Sequence, residues 1–247
     1  MRDFNYYAPT EVVFGKKSEE QVAALVKKYG GTKVLVHYGG KSAVKSGLLD
    51  KICGLLKSGG VDYVTLGGVV PNPRLSLVHE GIRLCQQEGV DFLLAVGGGS
   101  VIDSSKAIAM GVANPDVEVW DYYIGKAQLT KALPVASVLT IPAAGSEMSS
   151  SCVITKDEGL LKRGINSDLC RCRFCIMNPE RTYTLPPYQT AAGCTDIMMH
   201  TMERYFTNGG NMEITDALAE GLLRTVMANA EILVLDPQNY EDRKSVV

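Results

Sequence analysis

Phe92–Met110 reads FLLAVGGGSVIDSSKAIAM, and its interpretation decides the fold. Phe92–Val96 is apolar with no polar alternation, the pattern of a strand buried on both faces of a parallel sheet. It runs straight into Gly97, Gly98, Gly99 and Ser100, and the spacing beyond them predicts a helix over Val101–Met110. A strand, a bare glycine turn and a helix start leave backbone N–H groups at the positive end of a helix dipole, a setting that suits a pyrophosphate. Side chains larger than glycine would hold a phosphate away from that backbone. Ser100 is expected to cap the helix and donate to a phosphate oxygen, and Asp103 suits the first turn. The spacing is neither GxGxxG nor a Walker loop. Glycine triplets also form plain loops, so it is the strand-to-helix setting that favours a nucleotide.

Outward from this unit the same pattern repeats. Strands are predicted at Val12–Phe14, Lys33–Tyr38, Val61–Leu66 and Pro134–Ile141, with helices over residues 18–29, 46–58 and 74–88. Ser18 takes the N-cap position of the first of these helices. Strands alternating with helices predict an α/β domain built on a mostly parallel sheet. The character changes at Pro186-Pro187: residues 190–206 and 214–234 carry helical periodicity and no strand signal. The expected organisation is an α/β dinucleotide-binding domain over residues 1–185 and the start of an all-helical domain over 186–247.

Composition narrows the class. Of the 247 residues, 46% are hydrophobic and 21% charged, as in an ordinary globular protein with a sizeable core. A formal charge of −2 and the lack of a basic stripe argue against nucleic acid as a partner. Apolar stretches fall far short of the ~20 residues that span a bilayer. The first fifteen residues have no apolar core of the signal-peptide kind, so no membrane association and a cytoplasmic location are expected. Seven cysteines with no secretion signal do not suggest a disulfide framework. The run DLCRCRFC, with Cys170, Cys172 and Cys175, raises a zinc site, but no second CxxC pair or nearby histidine completes a tetrahedral set. Free thiols are the simpler reading.

Two further features carry chemistry. Gly39, Gly40, Lys41 and Ser42 follow the strand that would approach an adenosine ribose. An acidic residue there would hold the ribose 2′-OH and repel a 2′-phosphate. Glycines, a lysine and a serine favour NADP(H) over NAD(H), the plain alternative being a glycine turn closing a strand. Asp196 and His200 are four residues apart on a predicted helix, so both project from one face. A carboxylate and an imidazole on successive turns share a divalent cation such as iron or zinc, or simply hydrogen-bond to one another.

An ordered set of segments resembles the iron-dependent (group III) alcohol dehydrogenases, particularly the butanol dehydrogenase and broad-range aldehyde reductase branch. They are YYAPTEVVFG (6–15), VLVHYGGKSAVKSGLLD (34–50), VVPNPRLSLV (69–78), the 92–109 glycine unit, VLTIPAAGSEMSSSCVIT (138–155), residues 178–206 and DPQNYEDR (236–243). The resemblance implies a dehydroquinate synthase-like architecture, with an α/β nucleotide-binding domain followed by an all-α domain. It implies that Gly97–Ser100 hold the pyrophosphate, with Asp103 in the same motif. Asn72 and Thr140 line the cofactor cleft, Lys162 meets the nicotinamide ribose, and Asp196 and His200 are the first two ligands of a divalent metal. The reaction implied is metal-dependent hydride transfer between NAD(P)H and a small alcohol or aldehyde by a homodimer, and Val12–Phe14 is a candidate exposed edge strand for pairing.

The chain departs from the family in Ala144, where a threonine is common, and in the INSDLCRCRFCIMNP stretch (165–179). The family's two further metal-binding histidines would lie beyond Val247, so the sequence reads as C-terminally truncated. His37 and His79 do not match those ligands. A non-catalytic nucleotide-binding fragment is therefore the alternative reading.

Overall fold

The computed structural model describes residues 3, 5–208, 210 and 212–247; the N-terminal leader reading above also touches residues 1, 2 and 4, which lie outside them. The chain divides into two compact units. One comprises Pro9–Thr140 and Gly145–Met177; the other joins the remaining N-terminal residues, Ile141–Ala144 and Asn178–Val247.

The first unit is built on a sheet of six strands among the described residues. These are β1 (Glu11–Phe14), β2 (Lys33–Tyr38), β3 (Asp62–Leu66), β4 (Phe92–Gly97), β5 (Val135–Leu139) and β8 (Phe174–Met177), in spatial order β1-β8-β5-β4-β2-β3. Every pairing in it is parallel. The expected parallel α/β architecture is therefore present, and β1 does form a sheet edge, with Val12 and Phe14 exposed. All six residues of β4 are buried, which explains the unbroken apolar run in the sequence. The α-helices are α1 (Val22–Lys28), α2 (Ser42–Lys45), α3 (Leu48–Ser58), α4 (Leu75–Glu88), α5 (Gly99–Ala113) and α6 (Val119–Tyr123). Helices α1 and α3 pack Val22, Val26, Ile52 and Leu56 onto Val34, Val36, Phe92, Leu94 and Phe174. The rings of Phe92 and Phe174 stack with centroids 6.1 Å apart.

Several local expectations shift. The helix read over 18–29 opens as a 3₁₀ turn (Ser18–Gln21), and Ser18 makes no capping bond because Lys17 ahead of it is left-handed (φ 59°). The helix read over 46–58 is α3, which starts at Leu48 after Gly47 at φ 71°; the short α2 ahead of it was not read in the sequence. A hairpin of β6 (Ser151–Lys156) and β7 (Leu161–Asn166), separate from the main sheet, was not legible in the sequence. The residues of β7 are almost all exposed, so no apolar alternation marks that strand.

The second unit contains α7 (Pro187–Tyr205), α8 (Glu213–Leu235) and α9 (Tyr240–Lys244). Cys194, Val226, Leu233 and Val246 form its small core, with Ile197, Met198 and Ala230 against it. Tyr205 donates to Glu220 across α7 and α8 (3.1 Å). Arg243, almost fully buried, donates from Nη1 to Thr190 Oγ1 (3.1 Å) and from Nε to Pro237 O (2.9 Å), tying the chain after α8 to the first turns of α7. On α8, Ile214, Leu218 and Leu222 recur every four residues and are exposed. Among the described residues no helix is long and apolar enough to cross a membrane.

His37, in the middle of the sheet, is fully buried, with Nδ1 2.8 Å from Leu66 O and Nε2 2.8 Å from Ser104 Oγ. Since a carbonyl only accepts, Nδ1 carries the proton and Nε2 accepts from the Ser104 hydroxyl. Burial disfavours the imidazolium and lowers the pKa from 6.5 to about 4. The unfolded chain therefore binds more protons between these values, so His37 supports the fold above pH 6.5 and loses that support as pH falls towards 4. The shift corresponds to about 3 kcal/mol. Urea unfolding at pH 7 and pH 4 is expected to show this loss in the natural chain, and His37→Gln is expected to flatten that part of the pH profile.

Candidate functional site

Strand β2 leads to β3 on one side of the sheet, and the chain then returns to place β4 on the other side of β2. The order reverses between β2 and β4, and ligands of open parallel sheets bind at such a switch point, beyond the carboxyl ends of the strands. In the β2–β4 register Tyr38 faces Val96, so Gly39-Gly40 and Gly97-Gly98-Gly99 leave the sheet side by side. A side chain at Gly39 would lie 3.7 Å from Val101 in the first turn of α5.

Within the glycine loop of Gly97, Gly98 and Gly99, the first and the last are glycine for different reasons. None has a positive φ, so backbone conformation does not demand them. A Cβ at Gly97 would come within 2.5 Å of Val101, so this glycine permits the tight strand-to-helix turn. A Cβ at Gly99 would meet only Ser146 Cβ at 3.8 Å; here the missing side chain leaves space in front of the helix terminus. The N–H groups of Val101 and Ile102 both turn back to Gly98 O. Those of Gly99 and Ser100 head the helix, where no intrahelical acceptor exists. The N-cap is Gly98, with no side-chain capping bond, so Ser100 sits inside the first turn of α5 and does not cap it as expected.

Asp103 lies behind this loop. Its Oδ1 accepts from Ser146 Oγ (2.5 Å) and its Oδ2 from the Val153 N–H (3.1 Å). Burial raises its pKa, opposed by the Ser146 hydrogen bond and the nearby Lys106 charge. One turn on, Lys106 is buried, and its ammonium donates to Ser146 O (2.7 Å), Ser149 O (2.9 Å) and Ser151 O (2.8 Å). Together the two residues fasten the 146–151 segment to α5. The sequence reading passed over Lys106; the signal was a lysine three residues after Asp103 on a helix otherwise apolar or small.

The other candidate residues fall around the same end of the sheet. The Thr140 N–H donates to Gly97 O (3.2 Å). Asn72 occupies the left-handed region (φ 58°) between two prolines, and the adjoining Pro73 O accepts from Thr155 N–H (2.8 Å). Thr155 faces Lys162 across the β6–β7 hairpin. Lys162 is exposed, and its charge acts on Asp103. Beside Gly39, Gly40 and the exposed Ser42 opens a cavity of 520 Å³ lined by Tyr38, Gly39, Gly40, Lys41, Val44, Lys45, Gly67 and Gly68.

In the helical unit, Asp196 and His200 stand one turn apart on α7, with Oδ1 and Nε2 separated by 3.8 Å and both side chains partly exposed. Glu203 Oε2 lies 3.5 Å from His200 Nδ1. Among the described residues no group of three histidine, cysteine, aspartate or glutamate side chains is arranged to hold a metal. Catalytic divalent centres usually draw on three or more protein ligands, so Asp196 and His200 match part of a coordination shell and do not complete one. Cys170, Cys172 and Cys175 are buried; burial pushes the first two thiols up to about 11 and the third higher, which keeps all three protonated at neutral pH.

The sequence profile of iron-containing alcohol dehydrogenase matches residues 9–179, and that of the C-terminal part of the Fe-containing alcohol dehydrogenase family matches residues 190–247. A probable NADH-dependent butanol dehydrogenase of Bacillus subtilis is 44% identical over 247 residues, covering 100% of this chain and 63% of the relative. An NADPH-dependent aldehyde reductase of Escherichia coli is 36% identical, also over 100% of this chain and 63% of its own length. The solved structure of NADH-dependent butanol dehydrogenase A from Thermotoga maritima superposes with a TM-score of 0.96 at 41% identity, over 100% of this chain and 61% of that one. The chain thus spans about 63% of the length of the curated relatives it matches.

Replacing Lys106 with methionine keeps the length of the side chain and strands three carbonyls. The expected cost is about 3 kcal/mol or more in urea unfolding. Faster amide exchange should be concentrated in residues 146–153.

Proposed function

Because the chain belongs to the iron-containing alcohol dehydrogenase family, we propose that it carries the dinucleotide-binding part, and two donors towards the metal centre, of an oxidoreductase that moves hydride between NAD(P)H and a small alcohol or aldehyde. The observation that carries this reading is the pair of glycine turns at the switch point, beside the open N-terminus of α5. On this reading residues 1–185 serve the dinucleotide and residues 186–247 begin the metal-binding domain.

The roles follow from position. The N–H groups of Gly99 and Ser100 receive the pyrophosphate, whose charge the dipole of α5 favours. Gly97 and Gly98 bring the backbone close to it. Asp103 has both carboxylate oxygens engaged within the protein, so it acts on the cofactor through Ser146 and the loop. Asn72 and Thr140 line the cleft, and Lys162 reaches the nicotinamide ribose from the hairpin. In the reaction, hydride leaves C4 of the nicotinamide for the carbonyl carbon and a proton goes to the carbonyl oxygen; the protein's part is to hold the two partners in register. In this family a divalent cation, iron or zinc, would polarise that oxygen. Asp196 and His200 are the donors this chain offers, and two donors do not complete a catalytic coordination shell. A homodimer paired through the free edge of β1 belongs to the same proposal.

The incomplete donor set favours a second reading, a nucleotide-binding fragment without turnover. One experiment separates the two. NADH and NADPH are titrated into the 247-residue chain by fluorescence, and their oxidation is followed with butanal and ferrous iron or zinc. Turnover that disappears in Asp196→Ala or His200→Ala supports the oxidoreductase; binding without turnover supports the fragment. Binding of neither dinucleotide to folded chain rejects both. Gly99→Val, which fills the space before the α5 terminus, is expected to weaken dinucleotide binding at least about tenfold while leaving the unfolding midpoint nearly unchanged.

A further inference from the structure

Arg243, on α9, is only 2% exposed, yet no carboxylate among the described residues forms an ion pair with it. Its Nε donates to Pro237 O (2.9 Å) and its Nη1 to Thr190 Oγ1 (3.1 Å). Nη2 is shut off from solvent and has no hydrogen-bond partner. The ionisable groups that act on the guanidinium are Cys194 and Tyr183, a thiol and a phenol, neither charged at neutral pH. Burial pulls the pKa of Arg243 down from 12.5, as happens when a cation leaves water without meeting a counter-charge. A guanidinium nevertheless keeps its proton, so a full positive charge is buried here uncompensated.

Arg243 lines a cavity of 10 Å³ together with Pro142 and with Gln189, Thr190, Gly193 and Cys194 of α7. All of these residues belong to the second unit. A Cβ at Gly193 would come within 2.8 Å of Pro142 O, so only glycine lets α7 approach that backbone and close the space. The polar side chains around it are mainly donors. The guanidinium only donates, with Nη2 left to meet an occupant. The Thr190 hydroxyl accepts from Nη1 and keeps its own hydrogen to give, and the Gln189 amide carries two more. The volume admits one atom-sized occupant, which excludes phosphate and sulfate. A water would fill the space without balancing the charge. We propose that Arg243 and Thr190 form a binding site for a monatomic halide, chloride under ordinary conditions, which neutralises the buried guanidinium and clasps α9 to the first turns of α7. The site is independent of the dinucleotide reading; it concerns the footing of the helix that carries Asp196 and His200.

An anion bound only by the folded unit stabilises it by mass action and saturably. Amide exchange of the 247-residue chain is followed as sodium chloride replaces sodium isethionate at constant ionic strength. Exchange in residues 187–195 and 240–246 is expected to slow about tenfold once chloride reaches about ten times its dissociation constant, and then to level off. Crystals grown in sodium bromide should show an anomalous peak against Arg243 Nη2 and Thr190 Oγ1. Thr190→Val keeps the shape of the side chain and removes one donor, so chloride should bind about fivefold or more weakly to it. Circular dichroism checks that this variant is folded; Arg243→Gln, if it folds, should lose the chloride response altogether. Exchange that ignores chloride, a water in place of the bromide peak, or a response undiminished in Thr190→Val overturns the assignment.

Discussion

Parallel pairing of β2 with β4, with Tyr38 opposite Val96, sends two glycine-rich reversals out of the same edge of the sheet. A parallel sheet needs crossover connections, and its inner strands must be covered on both faces. That requirement makes β4 wholly apolar and places α1 and α3 against Phe92 and Leu94. It also leaves the carboxyl ends of the strands as the place where the backbone is free to meet a ligand. The two glycine turns become neighbours only because β3 and β4 lie on opposite sides of β2.

The loop region is held by polar groups in an otherwise apolar environment. A buried ammonium is costly unless each of its donors is used, and Lys106 places its hydrogen bonds on three carbonyls of the 146–151 segment. Asp103 fixes the same segment from the preceding turn of α5. Helix α5 therefore has two jobs: its first turn faces the proposed pyrophosphate, and its second anchors the segment beside that turn. The cysteines of the 170–175 run, buried and protonated, belong to the packing of this unit.

The helical unit is organised differently. Its core is small, and a buried arginine, Arg243, joins the chain after α8 to the start of the helix that carries Asp196 and His200. Those two donors are adjacent by helical geometry alone, since four residues make one turn. Any metal chemistry depends on donors additional to this pair.

Sequence by itself determined the parts that depend on local pattern. Unbroken apolar runs marked the buried strands, glycines bounded by a strand and a helix marked the candidate phosphate loop, and four-residue spacing put Asp196 beside His200. Tertiary structure alone decided what depends on partners distant in the chain. The exposed β7 carries no apolar alternation, so the hairpin that sets Lys162 opposite Thr155 was invisible until β6 supplied its register. Ser100 looked like a cap, yet the tight turn that Gly97 permits beside Val101 starts the helix two residues earlier and makes Gly98 the cap. Lys106 carried no reading in the sequence, and is the anchor of a loop because carbonyls some forty residues further along the chain converge on its ammonium. Local periodicity records which face of an element is buried; it does not record which distant polar group will meet that face.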